Sequence, residues 1–278
     1  MTDPLLEVKG LNVTFPGRGG ATHAVRDVSF TLGRERLGIV GESGSGKSTT
    51  GRALLGLIPP SAVVSAETLR FAGLDLRGYS DKQWQTLRGQ RISMIMQDPK
   101  YSLNPVRNVG WQIEEAYRLH HRCTNAEARK RALDMLEAVQ IRDADRVYQL
   151  YPHQLSGGMG QRVMIAAMLI AAPDLLIADE PTSALDVTVQ NEILRILDKL
   201  VSERGMGLIL ISHNLTVVSS FCDRVLVMYG GKIMEECDAK NLSSARHPYT
   251  RALLQSVPNL EHPRATLSTV ERDPAWLR

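Results

Sequence analysis

The chain has 278 residues, with 33 Lys and Arg against 30 Asp and Glu, a formal net charge of +3, and 43% hydrophobic residues. That length supports one large or two modest domains with ample core for a parallel sheet. So mild a basic balance lacks the concentrated Lys/Arg stripe of nucleic-acid binding. Cys123, Cys222 and Cys237 are odd in number and far apart, so they suggest neither a disulfide framework nor a Cys-based metal site.

Met1–Leu5 has no basic flank and no apolar core of a secretion signal. The most apolar stretch, Met164–Ala178, is interrupted by Pro173-Asp174 and is too short to span a bilayer. At the start of the chain, Leu6–Val8, Leu11–Phe15 and Ala24–Leu32 alternate with a two-residue period, which predicts short strands of an antiparallel piece. Phe15 precedes a Gly/Arg-rich turn, where its ring either stacks on an adenine face or packs in its own strand's core.

Leu37–Val40 then runs straight into Gly41-Glu42-Ser43-Gly44-Ser45-Gly46-Lys47-Ser48, a complete G-x-x-x-x-G-K-[ST] loop, followed by residues to Leu57 that suit a helix. The glycines let backbone N–H groups point inward at a phosphate chain, and the helix adds its positive end to the same spot. Lys47 is placed to reach the β- and γ-phosphates and Ser48 to ligand Mg²⁺. An ordinary glycine-rich turn gives no reason for Lys-Ser at the helix start.

Past Pro59-Pro60, Glu67–Phe71 reads as a strand, and Arg91–Met96 as a buried strand ending in Gln97. A polar amide at the C-terminal end of a core strand is where an α/β sheet meets its ligand, so Gln97 is a candidate contact for Mg²⁺ or an attacking water; otherwise it merely opens a loop. From Pro105 to Ala172 strand alternation gives way to helical spacing, as in a helical insert. Within it, Asn125–Val139 carries Leu133, Leu136 and Val139 on one face. His120-His121-Arg122-Cys123 reads as a solvated loop rather than a metal site, because adjacent residues converge poorly on one ion.

Ser156 is placed as an N-cap, with Gly157 and Gly158 leaving backbone N–H groups bare, a second anion-binding helix start in one chain; spacing alone equally fits an ordinary cap. Leu175–Ala178 is a short buried strand that delivers Asp179 and Glu180, suited to a Mg²⁺ ligand and a proton-accepting base. Ser183–Asp186 precedes an amphipathic helix with Ile193, Ile196, Leu197 and Leu200, and Gly207–Ile211 is a further buried strand ending at His213. Arg224–Glu236 reads as two short strands around Tyr229–Lys232. Beyond Asn241, through His247-Pro248-Tyr249-Thr250, the chain end reads as loosely ordered.

In order and spacing, the phosphate loop, Gln97, Leu155–Gln161, Asp179-Glu180, Ser183–Asp186 and His213 resemble an ATP-binding cassette (ABC) ATPase, over Leu6 to about Glu236. The resemblance implies an α/β fold: a RecA-like parallel core sheet (1–97 and 173–245) with an N-terminal antiparallel β subdomain and an inserted helical subdomain (98–172), and a C-terminal extension (246–278). It implies ATP and Mg²⁺, with Phe15 stacking on adenine, Gly41 to Thr49 (Gly41, Glu42, Ser43, Gly44, Ser45, Gly46, Lys47, Ser48, Thr49) and Asp186 at the nucleotide, and Ser48, Gln97 and Asp179 at the metal. Glu180 is then the catalytic base, Gln97 the sensor of γ-phosphate and Mg²⁺, and His213 a γ-phosphate contact, while Ser156, Gly157, Gly158 and Gln161 address ATP held by the opposite subunit of a head-to-tail dimer. Gly160 departs from the family, where a larger, often basic residue is common.

Gln97-Asp98-Pro99 with Ser102–Pro105, Tyr151–Leu155 and the His247–Thr250 tail resemble the bacterial dipeptide/oligopeptide and nickel importers, although no cysteine follows Cys237. Implied partners are two transmembrane permease subunits, a second ATPase subunit (the same chain or a paralogue) and, through the permeases, an extracytoplasmic solute-binding protein, with no nucleic acid. The implied place is the cytoplasmic face of the inner membrane, attached peripherally. The alternatives are a nickel or metal-chelate importer and a non-transport ABC ATPase, which usually carries a coiled coil or a second cassette. A phosphate-loop kinase leaves Leu155–Gln161 and His213 without a task.

Overall fold

The computed structural model describes residues 3–256 except 18 and 184, together with Asp273 and Trp276. In chain order the strands are β1 (Leu6–Phe15), β2 (Thr22–Leu32), β3 (Arg36–Val40), β4 (Val63–Ser65), β5 (Thr68–Phe71), β6 (Leu74–Asp75), β7 (Ile92–Ile95), β8 (Leu175–Asp179), β9 (Gly207–Ile211), β10 (Arg224–Tyr229) and β11 (Lys232–Asp238). The α-helices are α1 (Lys47–Ala53), α2 (Asp81–Gln85), α3 (Pro99–Ser102), α4 (Val109–Arg118), α5 (Asn125–Ala138), α6 (Ala144–Gln149), α7 (Gly157–Leu169), α8 (Val187–Arg204), α9 (Leu215–Phe221) and α10 (Pro248–Ser256). They pack as two units, residues 1–81 with 209–278, and residues 82–208.

In the first unit β1 is central to an antiparallel sheet ordered β2-β1-β5-β6, with β4 also on β1. The alternating residues Leu6, Val8, Leu11 and Val13 of β1 are buried, as are Val25, Val28, Phe30 and Leu32 of β2, so the two-residue period fills one face. The sequence read β1 as two strands; Gly10, at φ +60°, carries the chain through an irregularity instead of ending it. In the same unit β3 lies parallel to β10, with Leu37–Val40 opposite Arg224–Val227, and β11 returns antiparallel to β10. Three residues of β3, Leu37, Ile39 and Val40, are fully buried, the continuous apolar run of a strand covered on both faces.

Helix α1 is shorter than the stretch to Leu57 suggested. Gly56 turns left-handed (φ +61°) and the Leu57 N–H bonds back to the Arg52 carbonyl at 2.9 Å, the closing pattern of a glycine-terminated helix. The expectation of a loose tail fails over 242–256. Residues 239–244 form a 3₁₀ turn, and Pro248 opens α10 rather than breaking a helix, because proline at the first helical position lacks only an N–H that would be orphaned anyway. Of the tail beyond 256, all but Asp273 and Trp276 lies outside the described residues.

In the second unit β7 and β8 pair in parallel, Ile92–Ile95 opposite Leu175–Ala178. An ion pair of Arg91 with Asp174 closes the end of this pair. The buried face of α5 is Ala128, Ala132, Met135 and Leu136 with Val139 just beyond, so Leu136 and Val139 hold as expected while Leu133 is only half-buried. Ile193, Ile196, Leu197 and Leu200 of α8 are buried as their spacing required. Arg204 at the end of α8 donates to the Leu169 carbonyl at 2.6 Å, satisfying an otherwise open C-terminal group of α7. His121 stacks on Tyr117 with ring centroids 4.3 Å apart, and His120 faces Gly89, which gives both histidines packing roles.

Candidate functional site: a phosphate loop and an acid pair

The phosphate loop lies between β3 and α1. Gly46 sits left-handed at φ +99°, and a Cβ there would come within 2.4 Å of the Ala24 carbonyl oxygen. At Gly41, φ +149°, a Cβ would come within 2.1 Å of the Met228 carbonyl oxygen. The loop is thus pressed against neighbouring backbone on two sides, and only glycine fits. Gly231 in the turn between β10 and β11 donates its N–H to the Ser45 carbonyl at 3.1 Å, fixing the loop from a third side.

Lys47 is 5% exposed, and its ammonium donates to the carbonyls of Gly41 (2.9 Å) and Glu42 (2.8 Å) and reaches Ser45 Oγ at 3.4 Å. The start of α1 has no side-chain cap. A helix start without its own acceptor, beside a buried ammonium, is chemistry suited to a polyanion. Ser48 and Thr49 are half-buried in the first turn, while Ser43 and Gly44 are exposed at the loop tip. Phe15 ends β1 half-buried, and His213 is exposed after β9.

The acid pair belongs to the second unit. Asp179 is the last residue of β8 and is 4% exposed. Glu180 follows with a left-handed backbone, φ +47°, which turns the chain sharply out of the strand. Its Oε2 accepts a hydrogen bond from Gln97 Nε2 at 3.1 Å, so two polar groups 83 residues apart in sequence meet past the ends of β7 and β8. Parallel pairing in register produces that meeting: each strand's C-terminal end releases its polar residue at the same level.

In the same unit Ser156 caps α7, its Oγ accepting from the Met159 N–H at 3.3 Å, with Ser156 and Gly157 exposed and Gly158 half-buried. Gln161 lies one turn deeper and is 2% exposed, with its Nε2 buried and unpartnered. It is a core residue of α7 rather than part of the exposed start. Asp186 caps α8, accepting from the N–H groups of Thr188 and Val189 at 3.1 Å each. A cavity of about 550 Å³ is lined by Gln97, Pro99, Leu103, Ser156, Gly160 and Gln161, among others.

Sequence reasoning missed Tyr249. It is fully buried, and its hydroxyl accepts the Glu42 N–H at 3.1 Å. The His247–Thr250 motif marked the segment, but no local pattern connects it to a loop 207 residues earlier.

The family model described as "ABC transporter" matches residues 25–183, from β2 through β8. The chain belongs to the ABC transporter family. This cassette is 48% identical over 271 residues to a putative peptide import ATP-binding protein of Brucella abortus (strain 2308), covering 97% of this chain and 82% of that protein. It is 45% identical over 274 residues to the oligopeptide transport ATP-binding protein OppD of Escherichia coli (strain K12), covering 98% and 81%. Among solved structures it is similar to the dimeric, post-hydrolysis state of the ATP-binding cassette MJ0796 bound to ADP and Pi, with TM-score 0.76, 27% identity, and coverage of 84% of this chain and 98% of that one. The fold is that of an ABC ATPase, and the cassette is an ATP-binding ATPase of that family.

Proposed function

We propose that this cassette hydrolyses ATP to drive the import of peptides through a membrane complex. The observation that carries the hydrolytic reading is Glu180, directly after the buried Asp179 and held by Gln97 Nε2 at 3.1 Å. Lys47 and backbone N–H groups of the Gly41–Thr49 loop, other than that of Glu42, which Tyr249 takes up, bind the phosphates, and Phe15 stacks on the base. Glu180 accepts the proton of the attacking water, Gln97 orients that carboxylate, and His213 contacts the γ-phosphate. Ser48, Gln97 and Asp179 offer hydroxyl, amide and carboxylate oxygens, the donor set that Mg²⁺ takes. With Nε2 turned to Glu180, the ligand atom of Gln97 is its Oε1. Mg²⁺ bound there would neutralise charge developing on the phosphates.

Ser156, Gly157 and Gly158 complete, in this reading, the ATP site of an opposing ATPase subunit; Gln161, buried in α7, lies behind that surface rather than in it, and Asp186 serves the nucleotide. The ATPase domain is 1–245, with residues 98–172 as its helical insert and 246–278 as an extension. In this reading two permease subunits supply the path through the membrane; among the described residues no helix is long and apolar enough to cross one. Their docking surface lies near Asp98–Arg107, at the cytoplasmic face of the inner membrane, and an extracytoplasmic binding protein delivers the solute. Peptide is favoured as cargo because the relatives at 45–48% identity carry peptide, oligopeptide or dipeptide transport names.

Glu180→Gln tests the hydrolytic reading. Single-turnover hydrolysis in the assembled complex should fall by about 10²–10⁴-fold, the contribution of a positioned general base, while ATP affinity is retained. Near-normal hydrolysis would remove Glu180 as the base. Stimulation of wild-type hydrolysis by dipeptides and oligopeptides, but not by nickel, in the complex with its binding protein tests the cargo.

A further inference from the structure

The ATPase reading leaves His247–Thr250 without a task, although α10 buries Tyr249 completely against the first unit. Its hydroxyl accepts the Glu42 N–H at 3.1 Å, while the Glu42 carbonyl accepts from Lys47 Nζ at 2.8 Å. One residue of the phosphate loop is therefore gripped at both of its backbone groups, by the tail on one side and by the phosphate-binding lysine on the other.

Tyr249 is itself held firmly. Its ring lies 4.6 Å from that of Tyr229 at the end of β10, and Trp276 packs 5.5 Å from both rings. Its N–H donates to His247 Nδ1 at 3.2 Å. The Glu235 carboxylate of β11 accepts the N–H groups of Arg246 (2.7 Å) and His247 (3.2 Å), which anchors the start of α10 to the sheet. The hydroxyl is thus placed by a chain of fixed groups rather than by a free side chain.

We propose that Tyr249 is a positioning residue for the phosphate loop, its hydroxyl fixing the Glu42 peptide against which Lys47 rests. The proposal rests on the reading of that loop as the ATP site. The ammonium donates to the Gly41 and Glu42 carbonyls and to Ser45 Oγ. A triphosphate competes for the same donors, so the pull of Lys47 on Glu42 weakens as the phosphates are bound. Tyr249 holds Glu42 from the opposite side with a bond that this competition does not touch, and the loop keeps its shape without having to be reordered around the ligand. The tail then belongs to nucleotide binding although no atom of it needs to touch the nucleotide.

The test is Tyr249→Phe in the full chain, which removes the hydroxyl and keeps the ring packing on Tyr229. ATP affinity measured by calorimetry should fall by about 3- to 10-fold, the scale of one lost neutral hydrogen bond. The melting temperature without nucleotide should fall by no more than one lost hydrogen bond accounts for, and in the assembled complex the effect should fall on KM for ATP rather than on kcat. Unchanged affinity with unchanged stability overturns the proposal. So does a fall in affinity matched by a fall in melting temperature that Tyr249→Leu merely enlarges, since that pattern is loss of packing. Lys47→Ala run alongside separates the two claims. If it binds ATP as wild type does, the loop reading falls and the tether with it; if it loses affinity while Tyr249→Phe does not, only the tether falls.

Discussion

The cassette contains two glycine-rich helix starts, at α1 and at α7, and they are built in opposite ways. At α1 the helix has no side-chain cap, the loop is wedged against the carbonyls of Ala24 and Met228, and a buried lysine lies across it. At α7 the helix is capped by its own Ser156 hydroxyl, and Ser156 and Gly157 lie exposed. The first has its shape fixed by its own chain. The second is satisfied in itself yet presents bare backbone outward, which suits a surface completed by something that arrives. Similar residue types give the two outcomes because the carbonyls and strand turns that surround α1 have no counterpart around Gly157.

The largest effect should come from exchanging charge at the two starts. Lys47→Ala should cost about 10- to 100-fold in ATP affinity of the isolated chain, the range for hydrogen bonds from a charged group. Ser156→Arg should leave that affinity near wild type and abolish hydrolysis in the assembled complex, because a bulky cation obstructs the approach of an opposing site. Equal loss of affinity in both variants would erase the distinction between cradle and surface.

A backbone version of the same comparison follows. Gly46→Ala puts a Cβ 2.4 Å from the Ala24 oxygen at a left-handed residue, and should lower stability by about 1–3 kcal/mol in denaturant titrations. At Gly157 the nearest atom to an added Cβ is Leu185 Cδ2 at 3.8 Å, an ordinary contact, so Gly157→Ala should fold as wild type and reveal any defect only in hydrolysis.

Smaller still is Gly160→Ala inside α7. Its Cβ would meet Pro99 at 3.5 Å without a clash, and the gain in helix propensity should raise stability by up to about 1 kcal/mol. An unchanged or lowered unfolding midpoint would show that the glycine serves the packing against Pro99.

The smallest effect appears only in alkali, in the helices that carry the second start. Burial, together with the hydrogen bond to the Glu114 carboxylate, pushes the Tyr148 hydroxyl up to about 12 from the ordinary 10.0. The folded state therefore holds this proton more tightly than the unfolded chain. That contribution is intact below about pH 10 and is lost as pH rises toward 12, so wild type should destabilise through that window more steeply than Tyr148→Phe. Parallel stability curves for the two proteins would refute the assignment.

Much of this was legible because the signals are local. The spacing of Gly41, Gly46 and Lys47 announces the loop, and the apolar run before Asp179 announces a strand that ends in acid. The Gln97–Glu180 contact was legible at one remove, through the rule that parallel strands release polar ends together. Local pattern misled where one residue changes the meaning of its neighbours. Gly10 joins what reads as two strands, and Pro248 starts a helix in a tail that reads as loosely ordered. Tyr249 was beyond reach because its partner is set by how the tail returns to the sheet, a fact of tertiary packing that spacing does not encode.

Glu180 carries one more consequence. Its backbone sits in a conformation that costs an L-residue roughly 1–2 kcal/mol and costs glycine almost nothing. Selection for thermal tolerance alone would therefore favour Glu180→Gly, which relieves the backbone and removes the carboxylate proposed as the base. A library of this cassette screened only for soluble, heat-resistant survivors would collect such changes at this one codon, so activity has to be part of the selection from its first round.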